Sequence, residues 1–84
     1  MVYDLIVCRS LTYAQRGVRL LERAGISAYL VRAPRLIAQA GCAYCIKVSQ
    51  RWLERAVELM REAMLVPRGI YQQLEDGSYE EVSV

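Results

Sequence analysis

The chain has no histidine and no phenylalanine, and Lys47 is its only lysine. Without histidine, acid–base catalysis near neutral pH would need a carboxylate or thiol of perturbed pKa. A Ser/His/Asp triad is excluded, and zinc loses its commonest nitrogen ligand. No glycine-rich loop is present to cradle a phosphate. No apolar run approaches the ~18 residues of a membrane span. Met1-Val2-Tyr3-Asp4 has neither the basic region nor the cleavage site of a secretory signal. The cytoplasm, where thiols stay reduced, is therefore the expected compartment. Three cysteines, an odd number, also argue against a disulfide framework.

What is present suits a single small domain over residues 1–84. Apolar residues make up 55% of the chain, enough for a core. A domain of this size buries roughly 60% of the surface its unfolded chain exposes. The net charge of +2 is unevenly spread. Residues 1–72 carry eleven basic side chains against five acids; residues 73–84 carry Glu75, Asp76, Glu80 and Glu81 and no base. The tail is thus an acidic hairpin on an arginine-rich body. Arginine binds phosphate and carboxylate in forked geometry.

Taken in order, Tyr3 to Cys8 is a short apolar, β-rich run and reads as a central strand. Ser10 offers a helix N-cap. Leu11, Ala14, Val18 and Leu21 then recur at helical spacing, and Gly25 follows as a helix stop. Gly17 inside this helix costs about 1 kcal/mol against alanine. A close approach to the sheet would explain it. Ala28 to Arg32 reads as a second strand, broken by Pro34. Ala43 to Val48 is the third strand, and Ser49 a second N-cap. Leu53, Ala56, Val57, Met60, Ala63 and Met64 form the stripe of a second helix, with Pro67 beyond its end. Val66 to Leu74 holds a fourth strand. Asp76-Gly77 signals a hairpin turn, so Tyr79 to Val82 reads as a short fifth strand. The order β-α-β-β-α-β predicts an α+β, ferredoxin-like sandwich with an antiparallel sheet and both helices on one face. Right-handed crossovers place the first and third strands side by side in its centre.

That topology brings the end of the first strand to the start of the third. Cys8 lies at the former; Cys42 and Cys45, spaced Cys-x-x-Cys, lie at the latter. Strand alternation puts Tyr44, Ile46 and Val48 toward the helices and Cys45 and Lys47 on the open side. Placing Tyr3, Leu5 and Val7 toward the helices leaves Asp4, Ile6 and Cys8 on the open side. The register that satisfies both pairs Asp4 with Lys47, Ile6 with Cys45 and Cys8 with Ala43. All three thiols then gather at one end. Arg9, Arg32 and Arg35 stand near it, as does the first helix N-terminus. Such surroundings favour thiolate, the nucleophilic and metal-binding form, and can hold an anion.

Three thiols without histidine fall one ligand short of a closed zinc site, whereas copper(I) accepts two or three thiolates. A soft-metal module using Cys8, Cys42 and Cys45 is therefore one reading. A domain that pairs with a copy of itself through its open face or edge strand is another. RNA-binding sheets of this class present aromatic residues on the open face. The register above puts none on the two central strands, so no nucleic-acid partner is expected. Trp52 and Tyr44 read as packing residues.

Several segments carry a resemblance over nearly the whole chain. They are Tyr-Ala-Gln at 13–15, Leu-Glu-Arg-Ala-Gly-Ile at 21–26, Ala-Pro-Arg at 33–35, Gly-Cys-Ala-Tyr-Cys at 41–45 and Gly-Ile-Tyr at 69–71. The chain resembles the small bacterial selenium/sulfur carrier-like domains, a family of unknown function. Pro34, Arg35 and Cys42 fall on the family's loop and cysteine positions. The family's glycine commonly follows the cysteine; here it precedes it, and Cys45 stands where many members have no thiol. The resemblance implies a non-enzymatic carrier that holds sulfur or selenium on Cys42, with Cys45 resolving it and no cofactor. Arg9, Arg32 and Arg35 would keep the thiol ionised and dock an acidic donor or acceptor protein. Cys8 and Pro34 would complete the binding surroundings.

Overall fold

A computed structural model describes residues 3–35 and 44–83. Five strands and two helices follow in order: β1 (Tyr3–Val7), α1 (Leu11–Arg23), β2 (Ala28–Arg32), β3 (Tyr44–Ser49), α2 (Leu53–Glu62), β4 (Gly69–Gln73) and β5 (Tyr79–Glu81). A 3-10 turn, Gln50–Trp52, leads into α2. The sheet is antiparallel throughout, in the order β2-β3-β1-β4-β5. The expected ferredoxin-like arrangement is therefore present, with β1 and β3 adjacent in the centre and β5 added at one edge. Among the described residues, no helix is long and apolar enough to cross a membrane.

Local chemistry accounts for most boundaries. Ser10 caps α1 by accepting a hydrogen bond from the Tyr13 amide at 3.3 Å. The helix ends in a Schellman motif: the Gly25 amide donates to Glu22 and the Ile26 amide to Leu21. Gly25 takes φ +84, where a side chain would be strained. Gly17 faces the sheet. A methyl group there would overlap Ile46 Cδ1 and press on Met60 Cε at 3.2 Å. The expected close approach is real, and it lets α1 settle over β3 and α2.

Two expectations for α2 need correction. Ser49 makes no side-chain capping bond, because the 3-10 turn intervenes and Trp52 occupies the cap position. The apolar stripe stops at Met60. Ala63 is the C-cap, and Met64 turns outward at φ 63 with 80% of its surface exposed. The end is again a Schellman motif, in which the Met64 amide donates to Arg61 and the Leu65 amide to Met60. The backbone reversal buries Leu65 in place of Met64.

The core divides along the sheet. On the helix side Ile6, Cys8, Ile46, Val48 and Ile70 pack against Ala14, Leu21, Ala56, Val57 and Met60. On the other side Leu5, Val7 and Cys45 form a small separate cluster, with Val31, Ala33, Tyr71 and Tyr79 packed against it. At the β2 edge Tyr29 and Leu30 remain exposed.

Candidate functional site

The register of the central pair decides which thiols can meet. Val7 pairs with Cys45, Ile6 with Ile46, Leu5 with Lys47 and Asp4 with Val48. The sequence-based register was one residue off, which turns every β1 side chain to the other face. Leu5, Ile6, Val7 and Cys8 are all apolar and all buried. A strand buried on both faces gives no alternation by which to orient it. The attraction assumed between Asp4 and Lys47 does not form. Lys47 Nζ instead sits 4.5 Å from the centre of the Tyr3 ring, while Asp4 lies on the helix side.

Cys8 and Cys45 consequently lie on opposite faces. Cys8 is buried in the helix-side core, where its Sγ donates to the Ile6 carbonyl at 3.6 Å. Its amide donates to the Tyr44 carbonyl at 3.1 Å, which extends the β1–β3 pairing past Val7. Cys45 is 0% exposed, in the cluster on the other face. The expected gathering of Cys8 with Cys45 on one face is thus corrected. A chelate using both would have to pass through the sheet. Cys42 and Ala43 lie outside the described residues. Among the described residues, no group of three or more His, Cys, Asp or Glu side chains is placed to hold a metal ion.

Arg9 and Arg32 lie at the end of the sheet where β1 finishes and β3 begins. Arg9 lies 5.6 Å over the Tyr13 ring, beside the N-terminus of α1. Arg32 lies 5.9 Å over the Tyr44 ring of its cross-strand partner. Both arginines are exposed, as is Arg35. Each cation–π contact sets an exposed guanidinium against an aromatic ring. The N-terminus of α1, with no acidic residue in its first turn, adds partial positive charge.

Arg32 and Pro34 also line a cleft of about 200 Å³ on the face away from the helices. Tyr3, Leu5, Val31, Lys47, Gln73 and Tyr79 complete its walls. The sequence reading missed this cleft because it turned Tyr3 inward and treated the acidic tail as an appendage. With the observed register, Tyr3 joins Tyr71 and Tyr79 on that face. The expectation that the central strands show no aromatic residue there is therefore corrected. The hairpin chemistry was the available signal. Asp76 accepts from the Ser78 amide at 2.9 Å and from its hydroxyl, fixing the turn that returns Tyr79 to the sheet. Both Ser78 donors hold the Asp76 carboxyl below its ordinary range.

No curated protein and no solved structure matches this chain. One family model does, over residues 3–72, a span that contains all three cysteines and the Arg32-to-Arg35 segment. That span covers most of the chain, and the protein belongs to the family described as "Putative Se/S carrier protein-like".

Proposed function

We propose that the protein is a non-enzymatic carrier that holds one sulfur or selenium atom on Cys42. The family match carries this reading. In the sulfur case, the Cys42 thiolate attacks the terminal sulfur of a donor protein's persulfide. A new S–S bond forms on Cys42, the donor's S–S bond breaks, and the donor leaves as thiolate. The sulfane sulfur moves with no net oxidation. Release can follow through Cys45, whose sulfur attacks the inner sulfur of the Cys42 persulfide. That step forms a Cys42–Cys45 disulfide and expels hydrosulfide. The two thiols are oxidised and the carried sulfur is reduced.

The surroundings support the same reading. Arg32 and Arg9 stand at the rim of the end from which β3 begins. Exposed arginines there favour an ionised thiol and an acidic donor or acceptor surface. Cys8 is taken up by the helix-side core and needs no part in transfer. The work belongs to a reducing bacterial cytoplasm, where a persulfide passes between thiols. Transfer of labelled sulfur from a cysteine desulfurase tests the proposal. Cys42→Ala is expected to abolish labelling and Cys8→Ala to leave it unchanged. Equal labelling of Cys42→Ala and the parent would overturn it.

A further inference from the structure

Charges of opposite sign gather toward the two edges of the sheet. Arg16, Arg19 and Arg23 recur at spacings of three and four, which puts them on one stripe of α1. All three are exposed, and among the described residues none makes an ion pair. With Leu20, Ala63 and Leu65 they line a hollow of about 340 Å³. Like charges on one helix face repel one another, so an anionic surface laid across them is favoured.

The acidic set is the β4–β5 hairpin. Glu75, Asp76, Glu80 and Glu81 are exposed, and no basic residue follows Arg68. Asp76 is engaged by Ser78 within the turn. Glu80 pairs across the ladder with Gln72, and Gln72 with Asp4, so Glu80 stands on the helix side of the sheet. Leu74, 38% exposed, precedes the turn. The hairpin thus offers carboxylates around an apolar side chain, and the hollow offers guanidinium groups around an apolar floor.

Topology keeps these two surfaces apart in one molecule. α1 packs on β2 and β3, near one edge of the sheet, and β5 is the other edge. The same topology lets them meet between two molecules. α1 returns antiparallel to β1, so Arg19 and Arg23, in its second half, lie toward the end where β1 starts. Gln72 pairs with Asp4, so the turn after β4 lies at that end too. A two-fold axis parallel to the strands, with the helix layers face to face, preserves that end and exchanges the edges.

We propose that this face joins two copies of the chain. The Glu75 and Glu80 carboxylates of each hairpin lie on Arg19 and Arg23 of the other copy, and Leu74 enters the hollow over Leu20 and Leu65. Guanidinium and carboxylate pair in forked geometry. A two-fold pair makes the contact twice, which offsets the weakness of a single exposed ion pair. The surface lies away from the Cys8 end of the sheet and stands whether or not Cys42 carries sulfur.

Sedimentation equilibrium of the full chain tests this, with reductant present to exclude disulfide-linked pairs. A monomer–dimer equilibrium is expected, and its dissociation constant should rise about tenfold or more between roughly 0.05 and 0.5 M salt. Arg19→Glu with Arg23→Glu should leave the chain monomeric, as should Glu75→Lys with Glu80→Lys. Mixed in equal amounts, the two reversed chains should form a heterodimer about as tight as the parent dimer. Circular dichroism checks each fold, and glutamine at the same positions, with the same loss expected, replaces a reversed chain that unfolds. A parent chain monomeric at every concentration would overturn the proposal and leave the stripe to an acidic partner of another kind. So would a dimer indifferent to both reversals, or folded reversed chains that do not pair when mixed.

Discussion

The two faces of the central sheet each bury a cysteine, under covers of different thickness. Beneath the helices, Cys8 is one of fourteen residues, among those described, in a continuous core. Across the sheet, among the described residues, Cys45 shares a cluster with Leu5 and Val7, against which Val31, Ala33, Tyr71 and Tyr79 pack. Burial alone therefore does not separate a packing thiol from a reactive one. Helices are held by many contacts and cannot lift for one side chain. Cys45, on the thinly covered side, stands three residues along the chain from Cys42, the thiol proposed to carry sulfur.

Substitutions on each face measure this contrast, and the largest effect is expected on the helix side. Ile46→Ala removes a fully buried side chain and should cost about 3–4 kcal/mol by denaturant unfolding. Leu5→Ala, on the thin side, should cost about 2 kcal/mol, because its cover can collapse into the gap. Equal losses would mean that the two faces are equally rigid.

Next comes a double-mutant cycle at the closest helix–sheet contact. Gly17→Ala should destabilise by about 1–2 kcal/mol through overpacking. Ile46→Val deletes the Cδ1 that the new methyl would strike. The pair should therefore cost less than the sum, with a coupling of about 1 kcal/mol. Strict additivity would show that α1 moves away from the sheet instead.

Asp4 gives the helix face a pH signature. Burial raises its carboxyl above the ordinary value of 3.8, opposed in part by the Gln73 backbone amide. The folded state then holds the proton more tightly than the unfolded state. Stability from this group is full below the unfolded value and declines as pH rises through the folded one. Asp4→Asn should flatten that decline. It should also raise stability near neutral pH by on the order of 1 kcal/mol, with no gain in acid. Unfolding curves between acid and neutral pH check the sign; a gain in acid alone would contradict it.

The smallest effect concerns the helix ends. α1 reverses on Gly25 and α2 on Met64, both at positive φ. Met64→Gly should stabilise by about 0.5–1 kcal/mol, since only the methionine is strained there. A thermal melt reads this directly, and a loss would mean that the exposed side chain has a packing role.

The same residues show what could be read without coordinates. The alternation in Tyr44, Cys45, Ile46, Lys47 and Val48 oriented β3 correctly. The lone Gly17 announced a close approach, and Ser10 and Gly25 bracketed α1. In β1 the run Leu5-Ile6-Val7-Cys8 has no polar face, so an attractive charge pair chose the wrong register. Nothing in Ala63-Met64-Leu65 marks a helix end, because tertiary burial of Leu65 imposes the reversal on a residue with no preference for it. The candidate site was half legible. Its arginines and Cys45 follow from strand order, whereas Tyr3 and Tyr79 depend on the register and the returning hairpin.

Intact mass after exposure to a persulfide donor, with and without reductant, tests the carrier function most directly. Cleavage after arginine and lysine puts Cys8 in residues 1–9 and both Cys42 and Cys45 in residues 36–47. A reductant-labile gain of one sulfur or selenium atom on the 36–47 peptide, with the 1–9 peptide unmodified, is the expected result. An unchanged mass, or an adduct carried by Cys8, would contradict it.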